Sequence, residues 1–154
     1  MSVEVGDLAP DFILRDQNNQ DVSLSDFKGV KNVLLVFYPL AFTGVCSGEL
    51  TSLRDNLPTF QNDRVQVLTV SVDSAMVHKV WAEREGYDFP MLADFWPHGG
   101  VAQAYGVFDE AKGQALRGTF LIDTQGVVRW KTVNAIPNAR RLDDYVEALA
   151  SLGA

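Results

Sequence analysis

The sequence predicts a three-layer α/β protein, with a central β-sheet and helices on both of its faces. Segments with strand patterns alternate with segments of helical periodicity, which is the order that such a fold requires. The run 33–38 is continuously apolar, β-branched and aromatic, as expected of a strand covered on both faces. The composition, 47% hydrophobic and 21% charged, is that of an ordinary globular protein.

The length predicts one domain spanning residues 1–154. A chain of 154 residues lies within the range of about 100–200 residues typical of a single domain. It is long enough to bury about 70% of its unfolded surface, so the core needs no disulfide or metal to fold. We find no internal repeat, low-complexity tract or linker-like stretch.

The first half of the chain predicts a hairpin, a strand and a helix. Apolar residues at 12–14 and 22–24 flank the polar tip 17–20, which indicates an N-terminal β-hairpin extension. The buried strand at 33–38 follows. Helical spacing then relates Cys46, Leu50, Leu53, Leu57 and Phe60. Pro58 is expected to kink or end this helix.

The second half continues the alternation. Residues 65–72 form a second apolar run, and Asp73-Ser74 can cap a helix that ends at Gly86. We expect Val77, Val80 and Trp81 to share the apolar face of that helix. Strands at 119–122 and 127–133 are joined by the turn 123–126, and an amphipathic helix follows over 142–152. A thioredoxin-like sandwich fits this order, although the pattern alone leaves other three-layer folds open.

Charge and apolar patterning exclude several classes of partner. The 13 Lys+Arg against 20 Asp+Glu give a net charge of -7, which argues against nucleic acids and anionic membranes. No stretch approaches the ~18 apolar residues of a membrane span, and the N-terminus lacks the basic and apolar regions of a signal peptide. We therefore expect a cytoplasmic protein. One cysteine and two histidines do not readily supply a closed zinc site, and we predict no cofactor.

Cys46 is the only cysteine, so an intrachain disulfide is excluded. Its position on the apolar stripe of its helix is typical of a buried core cysteine. However, it also opens a helix directly after a buried strand, where unpaired amides and the positive helix end favour a thiolate. Thr43-Gly44 can form a tight bend beside it. Any redox chemistry of this sulfur requires a partner from outside the chain.

Residues around Cys46 match a known signature. Pro39, Thr43 and Cys46 fit the pattern Pro-x-x-x-Thr-x-x-Cys, Glu49 follows three residues later, and Arg117 opens a strand that ends in Ile122-Asp123. The sequence resembles the peroxiredoxin family in these elements and in the opening segment 6–12. The stretches 32–37 and 94–99 make it most similar to the one-cysteine alkyl hydroperoxide reductase E group of mycobacteria and relatives. Ser47 departs from the proline that many members carry there, and it has no assigned role.

The resemblance implies a thiol peroxidase that reduces hydrogen peroxide, organic hydroperoxides and peroxynitrite through a Cys46 sulfenic acid. It implies that Thr43 binds the peroxide and that Arg117 holds the thiolate and polarises the O–O bond. Pro39 would shield the sulfur from water, and Glu49 would orient Arg117. A low-molecular-weight thiol or a redoxin would recycle the enzyme. A homodimer or a larger homo-oligomer is the expected assembly.

Three other functions can be compared with the residues around Cys46. A thiol–disulfide oxidoreductase would normally carry a second cysteine near the first, and 46–49 holds none. A cysteine phosphatase needs an arginine six residues after its cysteine, where this chain has Ser52. A non-catalytic redox sensor or holdase that uses Cys46 as a switch stays open.

The remaining aromatic and histidine side chains have simpler interpretations. We expect His78 on an exposed helix turn and His98 in a loop, neither of them catalytic. Trp81 and Trp96 are interpreted as core or interface aromatics. Trp96 or Phe42 could alternatively line a peroxide pocket.

Overall fold

A computed structural model describes residues 2–153. The strands and helices of this part have the following bounds: β1 Ile13–Arg15, β2 Asp21–Ser23, β3 Asn32–Phe37, α1 Gly44–Asp55, α2 Leu57–Phe60, β4 Val65–Ser71, α3 Ala75–Glu85, β5 Met91–Ala93, α4 Gly100–Ala104, β6 Phe108–Asp109, β7 Gln114–Ala115, β8 Arg117–Ile122, β9 Val128–Asn134 and α5 Leu142–Leu152. A 3-10 helix, Leu24–Phe27, follows β2. Within residues 2–153, no helix is long and apolar enough to cross a membrane.

Seven strands form one mixed sheet in the order β2-β1-β5-β4-β3-β8-β9. Strand β3 is central: it pairs in parallel with β4 and antiparallel with β8, and β4 pairs in parallel with β5. The predicted N-terminal hairpin is confirmed, with Leu14 opposite Val22. A separate two-stranded ribbon, β6-β7, stands outside this sheet.

Strand β3 is buried on both faces because each face contributes to a separate apolar cluster. Leu34 and Val36 belong to a cluster that also takes buried residues from α1, α3 and α5. Val33, Leu35 and Phe37 belong to a second cluster, which the 3-10 helix, α4 and the N-terminal segment cover. The alternation follows from the two-residue period of a strand. The sheet with helices on both faces is the thioredoxin-like architecture that the sequence predicts.

Local sequence explains where the helices begin and end. The hydroxyl of Ser74 accepts a hydrogen bond from Val77 N at 3.2 Å, which caps α3, and Gly86 ends it in the left-handed conformation. Pro58 interrupts the first helical segment as predicted, since α1 stops at Asp55 and the short α2 holds the proline in its first turn. The predicted final helix, 142–152, has the observed bounds.

The predicted buried face of α3 is wrong in two positions. Val80 is 55% exposed, whereas His78, expected on an exposed turn, is fully buried beside Trp81 and Ala82. Positions 78, 81 and 82 have helical i, i+3, i+4 spacing, so the apolar stripe is rotated relative to the prediction. A histidine enters the stripe because Ser71 Oγ lies 2.7 Å from its Nε2, and that hydroxyl also donates to Asp73 Oδ2 at 2.6 Å.

The buried imidazole makes stability depend on pH. Burial lowers the pKa of His78 from 6.5 to about 4, against the opposing charge of Asp73. The unfolded chain therefore binds a proton that the folded chain rejects between pH 6.5 and about 4. The free energy of unfolding should fall as the pH decreases through this window, by about 3 kcal/mol from this group. Urea unfolding at several pH values measures the loss.

The matched control removes the other histidine, His98, whose ring is exposed. His78→Gln should flatten the pH dependence of the unfolding free energy between pH 6.5 and 4, and His98→Gln should leave it steep. A steep dependence in the His78 variant equal to that of the unmodified chain would contradict this account.

The sheet brings four chain segments to one edge. Because β3, β4 and β5 are parallel, their carboxyl ends lie at the same edge, and the antiparallel β8 begins there. The loop that leads from β3 into α1 therefore meets Arg117, the first residue of β8. Open α/β sheets bind ligands at such an edge.

Candidate active site

Cys46 is the third residue of α1 and is fully buried. The first hydrogen bond of the helix runs from Ser47 N to Thr43 O at 2.8 Å. The amides of residues 44–46 therefore precede the helical ladder, and they have no acceptor among residues 2–153. Unpaired amides and the helix dipole make this end of α1 favourable for negative charge. The sulfur lies both in the apolar cluster and at a helix N-terminus, so the two interpretations of Cys46 describe one position.

The sequence suggests a bend at Thr43-Gly44, but the bend before the helix lies at Phe42. Phe42 has a φ of 62°, in the left-handed region that costs a bulky residue on the order of 1–3 kcal/mol. Its ring packs on Trp81 with centroids 5.5 Å apart, and the Arg84 guanidinium carbon lies 5.6 Å from the ring centre. These contacts stabilise the strained conformation.

Two hydrogen bonds fix the rest of the loop. Ala41 N donates to Asp73 Oδ2 at 2.8 Å, and Thr43 Oγ1 donates to Leu40 O at 2.8 Å. With its proton used in this way, the Thr43 oxygen keeps lone pairs that can accept a hydrogen bond. Pro39, at the start of the loop, is buried.

Arg117 contacts the sulfur directly. Its Nη1 lies 3.1 Å from Cys46 Sγ and donates to Glu49 Oε1 at 2.7 Å, and its Nε donates to Ile136 O. The arginine side chain is only 3% exposed and that of Glu49 only 6%. The glutamate is therefore buried in the site and does not lie on a solvated face of the helix.

Arg140 is a member of this cluster that the sequence did not predict. Its Nε and Nη2 donate to the two oxygens of Glu49, each at 2.8 Å, and its backbone N donates to Oε2 at 2.7 Å. Its Nη1 donates to Phe37 O, Gly118 O and Thr119 Oγ1. Arg140 thereby ties α1 to the ends of β3 and β8. The one available signal, a pair of arginines before α5, does not show which of the two turns inward.

The cluster carries a net positive charge next to the sulfur. Burial alone would raise the pKa of Glu49. The hydrogen bonds and charge of Arg140 and the charge of Arg117 together outweigh this effect, so the pKa of Glu49 is lowered. One carboxylate then faces two guanidinium groups, all of them largely buried. The arrangement favours a further negative charge, and the Cys46 sulfur lies at hydrogen-bond distance from Arg117.

A cavity of about 250 Å³ opens beside this cluster. It is lined by Pro39, Leu40, Thr43, Gly44, Val45, Gln114, Arg117, Ile136 and Pro137. Phe42 and Trp96 are not among the residues that line this cavity. Trp96 is 82% exposed and thus no core residue, whereas Trp81 is buried as expected.

The fold and this buried cysteine–arginine site define a peroxiredoxin, a thiol peroxidase. Residues 5–131 match the AhpC/TSA family, and the chain belongs to that family. The match ends before Arg140.

Relatives and solved structures that match nearly the whole chain show more specifically what it is similar to. The chain is 53% identical over 152 residues to alkyl hydroperoxide reductase E of Mycobacterium tuberculosis, covering 99% of each chain. Among solved structures, it is similar to Enterococcus faecalis AhpC, with a TM-score of 0.89, 32% identity, and coverage of 99% of this chain and 93% of that one. The reduced 2-Cys peroxiredoxin of Plasmodium vivax gives a TM-score of 0.88 and 31% identity, with 97% and 81% covered.

Proposed function

We propose that this chain is a one-cysteine peroxidase in which Cys46 alone reduces the peroxide and an external thiol restores it. The observation that carries the proposal is the 3.1 Å contact between Arg117 Nη1 and Cys46 Sγ in a chain with a single cysteine. A guanidinium so placed stabilises a thiolate and can also act on a peroxide that approaches it.

The chemistry has two stages. The Cys46 thiolate attacks the proton-bearing oxygen of ROOH, an S–O bond forms, and the O–O bond breaks. The sulfur keeps the OH group and is oxidised by two electrons to a sulfenic acid. The leaving RO⁻ takes a proton from solvent, replacing the one that the thiol released on ionising, and departs as an alcohol, or as water from hydrogen peroxide. A thiol then condenses with the sulfenic acid, releasing water and forming a mixed disulfide. A second thiol reduces this disulfide and frees Cys46.

Each side chain of the site has a role in the first stage. Arg117 holds the thiolate and donates to the reacting oxygens, since its Nη2 has no hydrogen-bond partner among residues 2–153. The hydroxyl oxygen of Thr43 accepts a hydrogen bond from the OH group of the peroxide. The backbone amide of Cys46 donates to the reacting oxygens of the peroxide, as Arg117 does. Pro39 shields the sulfur. Glu49 orients Arg117 and is itself positioned by Arg140.

The cavity supports organic hydroperoxides as substrates besides hydrogen peroxide and peroxynitrite. Five apolar residues contribute most of its lining: Pro39, Leu40, Val45, Ile136 and Pro137. An apolar lining binds the carbon skeleton of a hydroperoxide by removing it from water.

The lone cysteine predicts the fate of the oxidised sulfur. After one equivalent of peroxide, Cys46 should stop at the sulfenic acid, because the chain holds no second thiol to condense with it. A carbon nucleophile such as dimedone should trap this species, and excess peroxide should carry it to the sulfinic acid. Non-reducing electrophoresis distinguishes the competing outcome. A dominant Cys46–Cys46 dimer would refute the external-thiol mechanism, and the full burial of the sulfur argues against it.

Turnover separates the peroxidase from the redox sensor or holdase. A peroxidase should consume many equivalents of peroxide when supplied with a suitable low-molecular-weight thiol or redoxin, whereas a sensor need not cycle. The experiment follows peroxide loss with a panel of thiols and redoxins, using intact mass to identify the mixed disulfide. Oxidation that stops after one equivalent with every reductant would favour the sensor.

Exposed apolar residues near the site support self-association. Leu40, Phe42, Val45, Met76 and Val80 are between 37% and 80% exposed, and all lie on the loops and helices that follow β3 and β4. We infer that this surface pairs with a second copy, giving a homodimer or a larger homo-oligomer. Light scattering of the unmodified chain and of Val80→Glu tests it: the variant should dissociate.

A cytoplasmic location stays a prediction, which cell fractionation tests.

A further inference from the structure

Three polar side chains line the cavity beside Cys46, and two of them are largely committed. Arg117 donates through Nε and Nη1 to Ile136, Cys46 and Glu49. The Thr43 hydroxyl donates its single proton to Leu40 O. Both side chains also belong to the proposed reaction at the sulfur. The third polar side chain, Gln114, has no part in that reaction.

The carboxamide of Gln114 is free to bind a ligand. Gln114 is partly buried on β7, in the short ribbon where it pairs with Asp109. Its side chain makes no hydrogen bond to any of residues 2–153, and most of the other residues that line the cavity are apolar. A carboxamide has two donor hydrogens and one acceptor oxygen. A purely apolar substrate that covers it removes water from these groups and leaves them unpaired, which weakens binding.

We propose that Gln114 determines substrate specificity by binding a neutral hydrogen-bonding group, a hydroxyl or carbonyl, on the carbon skeleton of the hydroperoxide. This inference rests on the proposed peroxidase function. The cavity, at about 250 Å³, has room for a compact hydroperoxide. The group that Gln114 binds is neutral because the carboxamide is itself uncharged and acts only by hydrogen bonding.

A matched pair of substrates tests the role. 2-Hydroxyethyl hydroperoxide and n-propyl hydroperoxide differ only in a terminal hydroxyl against a methyl group. Gln114→Leu, which keeps the bulk and removes the donor and the acceptor, should lower the ratio of kcat/KM for the hydroxylated over the propyl substrate by about 3- to 10-fold, the size of one neutral hydrogen bond. Gln114→Met also removes the carboxamide donor and acceptor and should lower the same kcat/KM ratio to a similar extent. Agreement between the two variants excludes a folding defect specific to leucine.

The control is Gln125→Leu, which makes the same exchange in the exposed turn before β9 and should leave the ratio unchanged. An unchanged ratio in both Gln114 variants, or an equal loss of activity with both substrates, would overturn the inference while leaving the peroxidase intact. Failure of the unmodified chain to reduce either hydroperoxide would instead overturn the proposed function.

Discussion

Replacement of Cys46 by serine is expected to abolish peroxide consumption. A hydroxyl is nearly isosteric with a thiol but stays protonated near neutral pH, and the chain holds no other sulfur nucleophile of this kind. Peroxide loss is measured with the reductant that supports turnover of the unmodified chain. Substantial residual turnover in Cys46→Ser would remove this residue from the mechanism.

The variant must also be shown to fold. Cys46 is fully buried in the cluster formed with α3 and α5, so the change of one atom should be tolerated with a modest loss of stability. Circular dichroism and the urea midpoint establish this. A matched control, Ser47→Ala, alters the neighbouring residue of the same helix and should retain activity.

Loss of the hydrogen-bonding groups at the sulfur is the second large effect. Arg117→Ala should slow the attack on peroxide by roughly 10²–10³-fold, as for the removal of one donor from an oxyanion site. Thr43→Val removes the oxygen that accepts a hydrogen bond from the peroxide and should have an effect of similar size. The reason is geometric: the Nη1 atom of Arg117 lies 3.1 Å from the sulfur, and the residue borders the cavity beside it. Stopped-flow rates measured across pH, up to the plateau of each variant, provide the test.

The pH plateau decides what Arg117 does. If it stabilises charge on the reacting oxygens, the deficit should persist at the plateau, where every thiol is ionised. Recovery of the full rate at high pH would show instead that the arginine only promotes ionisation of the thiol. Arg129→Ala is the matched control, because that arginine is 52% exposed and pairs with Asp123 at the opposite end of β8. It should react at the normal rate.

The elements of the fold could be predicted where local chemistry determines them. The apolar run of β3, the Ser74 cap, the left-handed Gly86 and the position of Pro58 each have a physical cause within a few residues. The short β5 and the ribbon β6-β7 were not predicted, since segments of two or three residues carry too little periodicity. The helix pattern alone puts His78 on the wrong side of α3, because it does not show that Ser71 lies beside the imidazole or that Asp73 accepts from the same hydroxyl.

Some residues of the site could be predicted from the sequence and others could not. The signature residues could be named from the resemblance to the peroxiredoxin family, and the structure brings Cys46, Glu49 and Arg117 into contact across 68 to 71 positions of sequence. Arg140 and Gln114 could not be named. Their contacts depend on how α5 and the β6-β7 ribbon approach the sheet, which no local pattern specifies.

The most direct test of the central claim, that Cys46 alone receives the peroxide oxygen, is a single-turnover mass measurement. Reduced protein is mixed with one equivalent of peroxide, trapped with dimedone and analysed by intact mass and peptide mapping under non-reducing conditions. The account predicts one adduct per chain, confined to the peptide that contains Cys46 and absent from Cys46→Ser. An unmodified Cys46 in protein that has consumed the peroxide, or an equal loss of peroxide with Cys46→Ser, would contradict it.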